Sequence, residues 1–126
     1  MTMLDVFSRY FIAVPLMNEN SEAYTDALIT TLYGRFGWPV EILADNANVF
    51  KEGSFAKTLD RLGIRQPAIS PYSPWGNPVE RWHKDLNKSC KAFILKGSSE
   101  RWHLWLPIYA LKRNLTPVTA LGRSPF

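Results

Sequence analysis

The chain begins with short apolar runs and continues in longer helical periodicities. Residues 1–5 and 10–16 are rich in β-branched and aromatic side chains and are separated by Val6-Phe7-Ser8-Arg9, a pattern that predicts a β-hairpin. After the polar stretch Asn18-Glu19-Asn20-Ser21, Ser21 is expected to cap a helix over 22–36, in which Tyr24, Leu28, Leu32 and Phe36 recur at every fourth position. Gly37 and Pro39 end it. Residues 40–44 are too short and too apolar for anything but a buried strand, which delivers Asp45 at its C-terminal end. A loop over 46–53 leads to a short amphipathic helix marked by Phe55, Leu59 and Leu62 and closed by Gly63, and 64–69 can form another strand.

The stretch from Ser70 to Lys84 changes character half-way. Pro71, Pro74, Gly76 and Pro78 cannot all sit inside regular structure, because proline fixes φ and lacks a donor. Asn77 then reads as a helix cap and Pro78 as the first helical residue. Over the helix predicted from 78 to about 96, Val79, Trp82, Leu86, Cys90, Phe93 and Ile94 fall on one face, and Glu80, Lys84, Asn87 and Lys91 on another, before Gly97 stops it. A last helix from about 100 to 114 contains Trp102, Trp105, Leu106 and Tyr109, and Pro107 inside it predicts a kink or a late start. The tail to Phe126 reads as loop. With no internal repeat or linker, this order predicts one α/β domain in which helices flank a mixed sheet.

Composition narrows the partners. A 126-residue chain with 46% hydrophobic residues, five Trp, five Tyr and seven Phe carries enough apolar surface for a core and is not a disordered segment. A net charge of +4 fits a polyanionic partner without demanding one. The single Cys90 excludes an internal disulfide and a multi-cysteine zinc site, and its position on the apolar face makes it a buried small hydrophobe. No run reaches the roughly 18 apolar residues of a membrane span. Asp5 and Arg9 interrupt the first apolar run, so an intracellular chain without a signal peptide is expected.

Two carboxylates stand out by position. Alone, Asp45 reads first as an aspartate that starts a turn or caps the next segment, and Asn77-x-x-Glu80 has capping-box spacing. Together they place one carboxylate at a strand end and one at a helix start, where a hard divalent cation could take oxygen ligands from both. Lys84, Lys88 and Lys91 read either as a solvated helix face or as phosphate contacts. Tyr72 and Trp75 read as packing anchors or as platforms for an unpaired base. His83 and His103 lack zinc spacing. Asn114-Leu115-Thr116 has the form of a glycosylation sequon, discounted because nothing else points to secretion.

The separated blocks Asp5-Val6-Phe7-Ser8-Arg9-Tyr10, Ala13-Val14-Pro15-Leu16, Arg35-Phe36-Gly37-Trp38-Pro39, Asp45-Asn46-Ala47-Asn48-Val49-Phe50, Ser70-Pro71-Tyr72-Ser73-Pro74 and Gly76-Asn77-Pro78-Val79-Glu80-Arg81 resemble, in order, the catalytic core of retroviral-type integrases, and most of all that of gypsy-type LTR retrotransposons. Asn114-x-Thr116 and Gly122-Arg123-Ser124-Pro125-Phe126 resemble the end of that core. The resemblance implies a ribonuclease H-like fold and an acidic triad of two Asp and one Glu that binds two Mg²⁺ or Mn²⁺ ions for phosphodiester cleavage and strand transfer. By motif position Asp45 matches the second aspartate and Glu80 the glutamate, both catalytic and metal-binding. Thirty-four residues separate them where the family has thirty-five. Tyr72, Arg81, Lys84, Asn87 and Lys88 are the expected DNA contacts. The implied partners are retroelement ends, target DNA and further copies of the chain, with no membrane, and the implied location is the nucleus after import from the cytoplasm.

Two departures from the family pattern carry consequences. Ala47 stands where the family has glycine, so a positive φ there would be strained. Asp5 belongs to a block that resembles the end of the family's second strand, so the first aspartate is expected on a strand upstream of Met1. On that reading residues 1–126 are a partial integrase core with its first strand missing. Catalysis is then impaired, the hairpin pairs with the Asp45 strand or recruits another, and stability is marginal. The alternative is a non-catalytic nucleic-acid-binding or assembly remnant of a retroelement.

Overall fold

A computed structural model describes residues 1–45, 47–67, 79–95 and 101–126, apart from the side chains of Glu80, Arg81 and Leu95. The chain divides into two units, Met1–Pro15 with Pro78–Phe126, and Leu16–Asn77.

The first unit opens with the predicted hairpin. Strands β1 (Thr2–Leu4) and β2 (Phe11–Ala13) pair antiparallel with Thr2 opposite Ala13 and Leu4 opposite Phe11. The connection closes through Asp5, whose N–H donates to Tyr10 C=O and whose C=O accepts from Arg9 N–H, both at 2.9 Å. Arg9 takes the left-handed conformation, φ 62°, that reverses the chain.

The unit's later elements are α5 (Val79–Leu95) and α6 (Trp102–Leu115), which are numbered after the four helices of the second unit described below. Their apolar faces meet β2. Phe11, Ala13, Leu86, Leu106, Tyr109 and Ala110 form the buried cluster, with Leu4, Trp82, Cys90 and Trp105 packed against it. Phe11 is 0% exposed, stacked on Trp82 at 5.6 Å and edge-on to Tyr109 at 6.1 Å. The helical face read from sequence is therefore present, except that Ile94 lies exposed at its end. Helix α6 runs through Pro107, which sits one and a half turns in. Its missing N–H leaves the His103 carbonyl without an intrahelical donor, a cost the packing of Leu106, Tyr109 and Ala110 outweighs. The tail is more ordered than a loop. Val118 and Arg123 form an antiparallel bridge around Gly122 (φ 64°), and Phe126 N–H returns to Asn114 C=O at 3.0 Å.

The second unit begins with α1 (Ser21–Leu28), a π-helical turn (Ile29–Tyr33) and α2 (Gly34–Phe36). The cap is Asn20, whose side chain accepts from Ala23 N–H at 2.8 Å, and not Ser21 as the sequence reading had it. Ser21 is drawn elsewhere. Its hydroxyl accepts from Phe55 N–H at 2.8 Å and donates to Glu52 C=O at 3.1 Å, tying α1 to the start of α4 (Gly53–Arg61). The four-residue period predicted to Phe36 breaks in the π turn, because a longer hydrogen-bonded ring rotates everything after it. Leu28 stays buried and Phe36 turns outward. At that turn Thr30 Oγ1 donates to Asp26 C=O at 2.7 Å, competing with the α ladder.

Short α3 (Asn48–Lys51) precedes α4, which buries Phe55 and Leu59 as predicted. Its end is a Schellman motif: Ile64 N–H reaches Leu59 C=O and Gly63 N–H reaches Asp60 C=O, with Gly63 at φ 67°. Tyr24, Phe50 and Phe55 stack edge to face over the α1–α4 contact.

The buried strand expected over 40–44 is not formed. Glu41 and Arg65 make a single parallel bridge, with Ile42 N–H to Arg65 C=O at 2.9 Å and Arg65 N–H to Val40 C=O at 3.1 Å. Val40 is 74% and Leu43 42% exposed. An apolar run is buried as a strand only when neighbours cover it, and the described residues supply pairing on one side. The strand expected over 64–69 is likewise reduced to its bridge at Arg65, and residues 68 and 69 lie outside the described residues.

Candidate functional site

Asp45 follows the bridge-forming segment, exposed, in the second unit. Its Oδ1 accepts from Ala47 N–H at 3.0 Å, an Asx turn that holds the carboxylate in place and leaves Oδ2 without a partner among the described residues. Ala47 itself sits at φ −63°, ψ 139° and starts α3, so alanine in place of glycine introduces no strain. Tyr24 shares this neighbourhood. Burial raises the pKa of its phenol most, and the negative charges of Glu19 and Asp45 raise it further.

Glu80 lies in the first turn of α5, in the other unit, and its side chain and that of Arg81 are outside the described residues. Tyr72, Trp75, Asn77 and Gly97 are outside them as well. Among the described residues no three His, Cys, Asp or Glu side chains converge to hold a metal. What Asp45 offers is one turn-held carboxylate, the donor type that Mg²⁺ and Mn²⁺ take.

The basic face of α5 is defined. Lys84, Asn87, Lys88 and Lys91 are exposed at helical spacing, opposite the face that carries Trp82, Leu86 and Cys90 into the core. His83, given no chemistry from sequence, is hydrogen-bonded to Thr2 Oγ1 and so ties α5 to β1. Asp5 is occupied in the hairpin turn. Its Oδ2 accepts from Ser8 N–H at 2.8 Å and Ser8 Oγ at 2.5 Å, and the Ser8 hydroxyl does most to hold its carboxyl below the usual value.

Sequence reasoning missed what two residues do here. Arg113 lies 4.1 Å over the Trp82 ring and 3.8 Å from Asp85. Asn114 is buried against Phe11. The available signal was the α6 periodicity: 106, 109 and 110 continue to 113 and 114, which sets a polar pair on the packed face of the helix.

Comparison with known proteins places this arrangement. The sequence profile of the family described as integrase core domain matches residues 1–74. The chain belongs to the integrase core domain family. The matched span includes Asp45 and ends before Glu80. The chain is 25% identical over 127 residues to the Gag-Pol polyprotein of feline leukemia virus, covering 100% of this chain and 7% of that one. It is 28% identical over 127 residues to the Gag-Pol polyprotein of avian reticuloendotheliosis virus, again over 100% of this chain and 11% of the polyprotein. With the Pol polyprotein of Radiation murine leukemia virus (strain Kaplan) the identity is 25% over 118 residues, 93% of this chain and 20% of the other. This integrase core segment thus spans a fifth or less of the length of these relatives. A crystal structure of the catalytic core domain of BIV integrase matches with a TM-score of 0.75 and 22% identity over 97% of this chain and 78% of that one. The fold is therefore α/β and ribonuclease H-like, with a two-stranded sheet and helices among the described residues.

Proposed function

We propose that this chain acts in DNA integration, as part of an integrase core that cleaves and transfers phosphodiesters of retroelement DNA. The observation that carries this reading is Asp45: it lies within the span matched to the family and is held by an Asx turn that leaves Oδ2 without a partner among the described residues. Asp45 and Glu80 would hold Mg²⁺ or Mn²⁺, and such ions, when bound, activate a water or a 3′-hydroxyl and stabilise the leaving oxygen. Tyr72, Arg81, Lys84, Asn87 and Lys88 would position the DNA backbone, and further copies of the chain would assemble around it in the nucleus.

The finer parts of the proposal follow from the sequence blocks. The element is of the gypsy type, and Asp5 is not the first aspartate of the triad. With two carboxylates the chain by itself binds metal weakly and turns over poorly. A strand-transfer assay with Mn²⁺ tests this. Robust activity that Asp45→Asn abolishes would show that another group completes the site.

A second reading, a non-catalytic nucleic-acid-binding or assembly remnant, is favoured by one observation: Lys84, Lys88 and Lys91 are exposed along one face of α5. Salt-sensitive DNA binding that survives Glu80→Gln and falls with Lys84→Ala selects it.

A further inference from the structure

A cleft of about 480 Å³ opens between α5 and α6, and its polar lining includes Asp85, Lys88 and Ser89 from α5 and Tyr109, Lys112 and Arg113 from α6. The groups around it are unequally satisfied. Asp85 is matched by Arg113 at 3.8 Å, and the Arg113 guanidinium is further held over Trp82. Lys88 and Lys112 have no carboxylate within ion-pair distance among the described residues, so the cleft keeps an excess of positive charge. Two residues of its lining carry a donor without a partner among the described residues. Tyr109 Oη and Arg113 Nε are buried with no hydrogen-bond partner among the described residues, and Tyr109 as a whole is only 6% exposed. Burial also raises the Tyr109 pKa, which keeps the phenol neutral and able to donate. Unmatched cations and stranded donors at one cleft call for a ligand rich in acceptors and negatively charged.

We infer that the α5–α6 cleft is a phosphate-binding subsite, in which Lys88 and Lys112 attract the anion and Tyr109 and Arg113 supply hydrogen bonds as it settles. The inference rests on the nucleic-acid reading only for one of two sources of that phosphate, the backbone of a DNA strand; the other is a free phosphate. In the first case Lys88, already on the exposed lysine row of α5, passes the strand to Lys112 and carries it onto α6. Lys112 also lies in the last turn of α6, where a cation offsets the carbonyl end of the helix whether or not a ligand is bound. The experiment therefore has to separate binding from stability.

The full chain is titrated with a short DNA duplex by fluorescence anisotropy over a salt series, and with inorganic pyrophosphate by calorimetry, as wild type, Lys112→Ala, Lys112→Arg and Lys84→Ala. Lys112→Ala is expected to lower the slope of log affinity against log salt by about 0.9, one phosphate contact, and Lys112→Arg to restore it. Loss of duplex affinity without a pyrophosphate signal assigns the site to the DNA backbone. A pyrophosphate signal that Lys112→Ala removes assigns it to a free phosphate, even where no duplex binds and the nucleic-acid reading fails. Duplex and pyrophosphate binding both unchanged in Lys112→Ala overturn the inference, as does a variant whose single defect is a lower melting temperature. A slope that falls with Lys84→Ala and not with Lys112→Ala overturns it while leaving the nucleic-acid reading intact.

Discussion

Asn114 grips the backbone of Phe11 with both ends of its amide. Oδ1 accepts from Phe11 N–H at 2.8 Å and Nδ2 donates to Phe11 C=O at 2.9 Å, with Asn114 2% exposed. The pair does for the outer edge of β2 what a neighbouring strand does, satisfying one donor and one acceptor that would otherwise be buried unpaired. A side chain so engaged is also closed to glycosylation in the folded chain.

Asn114→Ala is expected to be among the most destabilising single changes, because it strands both backbone groups of a fully buried residue at about 1–3 kcal/mol each. Asn114→Asp keeps the acceptor, loses the donor and sets a carboxylate against the Phe11 carbonyl, so it does not rescue. Urea unfolding measures both. A midpoint for Asn114→Ala within error of wild type would remove this clamp from the account.

Two glycines with positive φ are expected to differ in their tolerance of a methyl group. At Gly53 (φ 79°) a Cβ would meet Ser21 Oγ at 2.9 Å, whereas at Gly63 (φ 67°) it would meet nothing within 4 Å. Gly63→Ala therefore costs only the left-handed backbone, about 1–2 kcal/mol. Gly53→Ala costs that and displaces the hydroxyl that holds Phe55 N–H. Denaturant midpoints should rank wild type, then Gly63→Ala, then Gly53→Ala, and a reversed order of the two variants would contradict the Ser21 contact.

Asp5 supplies a pH dependence of known sign. Its folded pKa is lowered from 3.8, chiefly by the Ser8 hydroxyl. Its contribution is therefore fully present above the unfolded value and is lost as pH falls through the lower folded one. Asp5→Asn should be less stable than wild type at neutral pH, and the gap should close below pH 3.8. A gap that stays constant into acid would mean that the charge plays no part in the turn.

Tyr109→Phe is expected to leave the stability of the free chain unchanged within about 0.5 kcal/mol or to raise it, since the hydroxyl is buried without a partner among the described residues. Thermal melts without added phosphate report this. A loss as large as that of a core truncation would show that the hydroxyl is satisfied in solution.

Local features were legible from the sequence because their causes are local. The hairpin, the C-terminal end of α4, and the apolar face Trp82, Leu86 and Cys90 follow from turn chemistry, glycine at positive φ and helical period. The family blocks placed Asp45 and pointed to the fold. Tertiary structure alone decided what depended on distant neighbours. Ser21 left its capping role to Asn20 because Phe55 N–H and Glu52 C=O, more than 30 residues on, compete for its hydroxyl. Residues 40–44 have the composition of a buried strand, yet they keep Val40 and Leu43 exposed, because burial needs pairing partners that no composition supplies. Asn114 stood in a discounted sequon and Arg113 had no assigned role, until the packing of α6 on β2 and α5 brought Phe11 to the first and Trp82 with Asp85 to the second. The sequence by itself determined periodicity, punctuation and family. Which buried polar groups meet, and which edges stay open, was decided only when segments far apart in the chain were brought into contact.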